Sequence, residues 1–224
     1  MTRKPGVGDS RYRSLAERVN EFLDAKEISD DFAKECMWKL LEREKEHAAG
    51  IKRAATTMVV FVALFELLNR NLVDQASGFG VKLARLDFLI TVIPVAVAYL
   101  FLRVASMSLA RTKVKEAVYG ISRKRFPALY LSDIDGLLLA DPRPATIDVP
   151  SSFFRGTMTR TFVNFAGAAE AILIGSAVIA FEIYASFQLF HRYGIENIAA
   201  WLSLLVSLIL LIGALPYLFA AAEK

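Results

Sequence analysis

Four long apolar segments limit what this chain can fold into. A helix needs about twenty mostly apolar residues to cross a hydrocarbon core of roughly 30 Å, and an unpaired backbone group in lipid costs several kcal/mol. The chain has 224 residues, of which 55% are hydrophobic and 22% are charged. Its apolar segments lie at about 54–72, 86–110, 161–185 and 198–222. We predict an all-α polytopic membrane protein with four transmembrane helices.

The four segments differ in how completely they exclude charge. Segment 198–222 has no charged residue and carries Trp201 and Tyr217 near its ends, where amphipathic rings prefer to lie. The first two segments are uncharged over shorter stretches and span only if flanking polar side chains extend towards the headgroups. In the first, Glu66 precedes Arg70 by four residues, the order that favours an intrahelical ion pair at the membrane surface. The alternative for this pair is a buried hairpin of a soluble fold.

The distribution of Lys and Arg orients the chain. Twelve lie in residues 1–53, ten in 103–160, three in 69–86 and one in 190–197. Cytoplasmic segments carry the excess of Lys and Arg, so both basic segments and both termini are expected on the cytoplasmic side of a bacterial inner (plasma) membrane. The lone Cys36 is compatible with a reducing compartment.

Residues 1–53 have the pattern of a cytoplasmic amphipathic helical hairpin. Apolar residues recur every three or four positions in both of its helices. Ser29 is expected to cap the second helix, which can run on through Gly50 into the first span. The two apolar stripes either bury each other or bind a soluble cytoplasmic protein. The candidate partner-binding residues are Leu15, Val19, Phe22, Phe32 and Leu40.

Residues 111–160 form a basic and Pro-rich connecting segment. A basic amphipathic stretch beside a span is typical of contact with anionic lipid headgroups, at about 1 kcal/mol for each cation. Nucleic-acid binding is not expected, because no recognition fold accompanies these charges. The residues assigned to the membrane surface are Arg111, Lys113, Lys115, Arg123, Lys124 and Arg125.

Within this segment, SDIDGLLL resembles the first motif of the haloacid dehalogenase-type phosphatases, with Asp133 and Asp135 as its two acids. Leu137 stands where that motif has a threonine, and only a short stretch separates it from the next apolar segment. Ser132 and Asp135 also fit a helix capping box. The sequence has no nucleophile–base arrangement, phosphate-binding loop or metal-ligand cluster elsewhere, so we predict no enzyme, no cofactor and no metal site.

The third apolar segment carries a polar, narrow side. Gly167, Ala171 and Gly175 recur every four residues, a spacing that lets two helices approach closely. Glu170 is expected near the middle of the bilayer and Glu182 at its outer surface. This side is either a helix-packing seam or the lining of an ion or proton path. Its predicted members are Asn164, Gly167, Glu170, Ala171, Gly175 and Glu182.

These features predict a homo-oligomeric ion-conducting pore or channel-like effector that is controlled through its cytoplasmic helices. The alternative is a non-conducting membrane anchor or scaffold that presents the N-terminal hairpin to a soluble partner. Anionic lipids and further copies of the chain are the expected partners in the membrane.

The predicted orientation can be tested with two reporters fused after Lys224. A fluorescent protein that matures only in the cytoplasm should fluoresce there, and a phosphatase that folds only outside should stay inactive. The same reporters inserted within 190–197 should give the opposite pattern. An active phosphatase after Lys224 would contradict the orientation.

Overall fold

The computed structural model describes residues 15–24, 29–70, 86–128 and 157–222, without the side chains of 157–172 and of a few other helical positions. Over these residues the chain is helical and contains no strand. This confirms the predicted all-α class. The helices are α1 (Leu15–Asp24), α2 (Asp30–Asn69), α3 (Leu86–Arg125), α4 (Thr157–Tyr193) and α5 (Ile198–Ala222).

Three helices are long and apolar enough to cross a membrane. Among the described residues these stretches are Phe88–Arg125 in α3, Leu173–Tyr193 in α4 and Ile198–Ala220 in α5. Their length and composition agree with a multi-pass membrane protein. Of the other predicted span, 54–72, residues 54–69 lie in α2 and residues 71–72 lie outside the described residues. The described part is not one of the three, and its uncharged stretch between Arg53 and Glu66 is shorter.

Three of the described helices, α2, α3 and α4, run further than an ordinary membrane span, and α4 contains 37 residues. α2 and α3 each contain 40 residues. α2 continues through Gly50 as predicted, and α3 continues beyond the apolar segment, so the first part of the basic segment is helical. At Gly50 a Cβ atom would lie 2.8 Å from Sδ of Met107, so glycine permits the close approach of α2 to α3.

The helix ends follow from local sequence. Ser29 Oγ accepts a hydrogen bond from the Phe32 amide at 3.2 Å, which confirms the predicted N-cap of α2. Between α4 and α5, Gly194 has a φ of 79°, in the left-handed region that favours glycine. Asn197 Oδ1 then accepts from the Ala199 amide at 2.8 Å and caps α5. This tight turn makes α4 and α5 an antiparallel helical hairpin.

The chain divides into two compact units. The hairpin unit is drawn from Met1–His47 and Ala110–Asp141, and the membrane unit from Ala48–Leu109 and Pro142–Lys224. Helices α2 and α3 contribute residues to both units.

The core of the hairpin unit is formed by three helices. Leu23 of α1, Met37 and Leu41 of α2, and Val118 and Ile121 of α3 are buried together. A two-helix hairpin of this size buries too little apolar surface to be stable alone, so the end of α3 supplies the surface that it lacks.

An ion pair lies inside the hairpin unit. Glu44 of α2 is 0% exposed, and its Oε1 accepts a hydrogen bond from Arg111 Nε at 2.6 Å. The Arg111 side chain is 12% exposed. The attraction between two buried charges offsets the free-energy cost of removing them from water only while both charges are present. If one partner is removed, the other becomes an uncompensated buried charge.

The core of the membrane unit draws on α2, α3, α4 and α5. Phe65 of α2 is fully buried and packs edge to face against Phe181 of α4, with ring centroids 5.4 Å apart. Ser203 of α5 donates a hydrogen bond to the Thr91 carbonyl of α3 at 2.8 Å. Many large apolar side chains stay exposed on the outside of these helices, as expected for surfaces that contact lipid.

The buried ion pair makes a prediction about stability. Arg111→Met should lower the free energy of local opening of α1 and α2 by about 3–5 kcal/mol, because Glu44 is left buried without a counter-charge. Replacing both Glu44 and Arg111 with Met should recover most of this loss. Hydrogen exchange on the full chain measures the effect.

The control is Lys39→Met, which removes an exposed ion pair with Glu35 and should change little. An equal effect of the Arg111 and Lys39 substitutions would contradict the role of burial.

Candidate functional site

The predicted polar side of the third apolar segment is only partly described. Its backbone belongs to α4, but the side chains of Asn164, Gly167, Glu170 and Ala171 lie outside the described residues. Their role stays a prediction. Gly175 is partly buried, and a Cβ atom placed there would meet nothing within 4 Å. Among the described residues, this position of α4 has space beside it.

Glu182 lies inside the membrane unit. It is 5% exposed, and neither carboxylate oxygen has a hydrogen-bonding partner among the described residues. It is about 14 Å from Leu173 and about 17 Å from Tyr193 along the helix, at 1.5 Å for each residue. α4 stays helical to Tyr193, beyond the predicted end of this span at about 185, and the position of Glu182 at the outer surface stays a prediction.

A serine of the neighbouring helix lies beside this acid. Ser207 of α5 is 2% exposed and is adjacent to the Glu182 carboxyl group. Its Oγ, like the Glu182 oxygens, makes no hydrogen bond with the described residues. Since buried polar groups in proteins almost always have partners, two facing groups without them mark a site rather than ordinary packing.

A weak signal for this site is present in the sequence. Ser203 and Ser207 are four residues apart on the otherwise apolar α5 and therefore share one side of the helix. Val178, Ala185 and Leu189 place Glu182 on the buried side of α4. The helical spacing of these apolar residues could have predicted that Glu182 lies inside the helix bundle. It could not have predicted that Ser207 lies beside Glu182, because that depends on how α4 and α5 pack.

A second polar group lies at the end of α2. Arg70 Nε donates to Glu66 Oε1 at 2.6 Å, which confirms the predicted intrahelical pair. The structure adds Tyr184 of α4, whose hydroxyl donates to Glu66 Oε2 at 2.8 Å. Arg192 also reaches the Leu68 carbonyl, at 3.5 Å. These contacts connect the end of α2 to α4, and both carboxylate oxygens of Glu66 accept hydrogen bonds.

Most of the basic residues assigned to the membrane surface have acidic or backbone partners in the hairpin unit. Arg111 is bound to Glu44, Lys113 to Glu116 and Lys124 to Asp24. Arg125 contacts Asp30 at 3.3 Å and donates to the Leu23 carbonyl at 2.7 Å. Lys115 and Arg123 also have partners. Contact with lipid headgroups stays a prediction for the exposed members of this set.

The predicted partner-binding residues of the hairpin differ in their exposure to solvent. Leu15, Val19 and Leu40 are partly buried, Phe32 is exposed, and the Phe22 side chain lies outside the described residues. The apolar stripes of α1 and α2 therefore bury part of each other, and α3 covers a further part of their apolar surface.

A groove of about 680 Å³ remains on the hairpin unit. Its apolar lining includes Leu15, Leu40 and Ile121, and its charged lining includes Arg43 and Glu46. Lys39 also lines it and donates a hydrogen bond to Glu35 at 2.7 Å, which lowers the pKa of that exposed carboxyl group. A groove with an apolar base and charges of both signs suits an amphipathic protein segment.

Among the described residues, no group of His, Cys, Asp and Glu side chains is arranged to hold a metal ion. The stretch SDIDGLLL lies outside the described residues.

The chain matches no family model, no curated protein and no solved structure.

The unpartnered acid makes a prediction about stability. Glu182→Met should raise the midpoint of thermal unfolding in detergent, because a buried polar group without a partner costs about 1–3 kcal/mol. Glu66→Met should lower it, since this change leaves Arg70 and the Tyr184 hydroxyl without their acceptor. A loss of stability in Glu182→Met that equals that in Glu66→Met would indicate that Glu182 is an ordinary structural residue.

Proposed function

We propose that this protein is a homo-oligomeric ion-conducting pore of a bacterial inner membrane, controlled through its hairpin unit. The observation that carries the proposal is the Glu182 carboxyl group, which is buried within a candidate span without a hydrogen-bonding partner among the described residues. An ionisable group inside a membrane-spanning helix is expensive and generally marks an ion or proton pathway.

The topology proposed here has four spans with both termini in the cytoplasm. In the hairpin unit, Glu44 of α2 contacts Arg111 of α3, so these two positions lie on the same side of the membrane. The chain between them must cross the bilayer an even number of times. Because α3 is a candidate span, we propose that α2 crosses as well. The exposed Val59, Val60 and Leu67 of α2 suit contact with lipid.

Several copies of the chain are needed to enclose an aqueous path. The described part of the membrane unit has a packed apolar core, and four helices are too few to surround a water-filled channel. The open space beside Gly175 leaves room for a helix of another copy, at the spacing of small residues that favours close helix contacts in lipid. The third span is therefore the proposed contact between subunits.

Control is assigned to the hairpin unit, because α2 and α3 contribute to both units. A partner that binds the hairpin unit would act on two helices that also build the membrane unit.

The groove supports a second candidate function. A non-conducting anchor or scaffold would hold a soluble partner in this groove, whose lining includes three of the predicted partner-binding residues, Leu15, Val19 and Leu40. Under this alternative, Leu40→Glu abolishes function, and Glu182→Gln has no effect.

Ion flux from liposomes tests conduction. The purified full chain should discharge an ion gradient, and Glu182→Gln and Glu170→Gln should each change the flux without changing the oligomer mass in detergent. Glu196→Gln, an exposed change in the turn between α4 and α5, is the matched control. Flux equal to that of empty liposomes, or a monomeric mass, would contradict the pore.

A further inference from the structure

We propose that Glu182 and Ser207 form a proton-binding site inside the membrane unit, and that the proton is the ion this protein carries. The proposal rests on the proposed conduction and names its ion. Its basis is the pair of facing polar groups, 5% and 2% exposed, with no hydrogen bonds to the described residues.

The surroundings of the carboxyl group exclude a hydrated ion. Its own side of α4 places Val178, Ala185 and Leu189 next to it, and all three are buried in the apolar core. A metal cation there would need a shell of several oxygen ligands in place of its water. The site offers the two carboxylate oxygens and one hydroxyl. A proton needs only one of these oxygens.

Among the described residues, no charged group on the surrounding helices is paired with this acid. α5 carries no acidic or basic side chain between Ile198 and Ala222. α3 has none between Phe88 and Arg103. On α2, Arg70 is bound to Glu66, which also accepts from Tyr184. The remaining way to remove the negative charge is to bind a proton.

Hydroxyl groups extend from Glu182 towards the outer ends of the helices. Ser203 lies one turn from Ser207 and donates to the Thr91 carbonyl at 2.8 Å. Thr91 Oγ1 in turn donates to the Phe88 carbonyl at 2.8 Å. A serine hydroxyl can accept a proton on one lone pair and release its own. In the proposed step Ser207 passes its proton to a Glu182 oxygen and takes up another from a hydronium ion, which leaves as water.

A pH-sensitive dye inside liposomes tests the identity of the ion, with a potassium gradient and an ionophore to supply the driving potential. The wild-type full chain should acidify the interior. Glu182→Gln should lose this flux, and Glu182→Asp, which keeps the acid, should retain part of it. Ser207→Ala should slow the flux and Ser207→Thr, which keeps a hydroxyl, should restore it. The matched control is Glu196→Gln, which should leave it unchanged.

Two outcomes separate this proposal from the proposed function. If the wild-type chain passes potassium or chloride but no protons, the proton assignment is overturned and the pore stands. If no ion passes, the proposed function falls and the assignment with it. Unchanged proton flux in Glu182→Gln overturns the role of this residue.

The proton-binding site itself has an independent readout. A hydrophobic carbodiimide adds to a protonated carboxyl group and leaves a stable acylurea, with the acid proton moving to nitrogen. Peptide mass spectrometry should find this product on Glu182, with more product at lower pH. Labelling of other acids while Glu182 stays unmodified at every pH would overturn the proposal, whether or not Glu182→Gln folds.

Discussion

The requirement that every backbone polar group in lipid be paired within its own segment governs the rest of this structure. It makes the helix the only local conformation open to the apolar stretches, and every described element is a helix. The same requirement explains why α2, with a shorter uncharged stretch than its neighbours, can still belong to the membrane unit. Its backbone bonds are satisfied internally, its apolar residue Phe65 packs into the core, and Glu66 and Arg70 neutralise each other.

Each of the two units contains a buried carboxylate, and the two carboxylates differ in whether a charged partner lies beside them. In the hairpin unit Glu44 is fully buried and paired with Arg111, so its negative charge is compensated in place. In the membrane unit Glu182 is almost as buried, yet it faces only the unbonded hydroxyl of Ser207 among the described residues. A compensated charge stabilises one arrangement of helices, whereas an uncompensated one costs stability and is retained for what it does. This contrast is the reason why we propose a functional role for Glu182 and a structural one for Glu44.

Local patterns predicted much of the fold, and long-range contacts could not be predicted from them. The all-α class, the Ser29 cap, the continuation of α2 through Gly50 and the ion pair of Glu66 with Arg70 all depend on residues within about two helical turns. Two contacts join residues that are far apart in the sequence: the ion pair of Glu44 with Arg111, and the approach of Ser207 to Glu182. Helical periodicity gives no information about such contacts. For the same reason, the basic end of α3 was predicted to contact lipid headgroups, although its apolar residues Val118 and Ile121 complete the core of the hairpin unit.

The participation of α3 in that core has a consequence for biosynthesis. Residues near Leu23 leave the ribosome long before Val118 and Ile121, so α1 has no complete surface to pack against while the intervening chain is being inserted. During that interval the cations of the nascent N-terminal segment, and later those at the end of α3, have not yet met their folded-state partners, and under the proposed topology they can retain both segments on the cytoplasmic side. Closure of the hairpin unit then neutralises part of that charge, and the orientation chosen during translation becomes locked by tertiary structure.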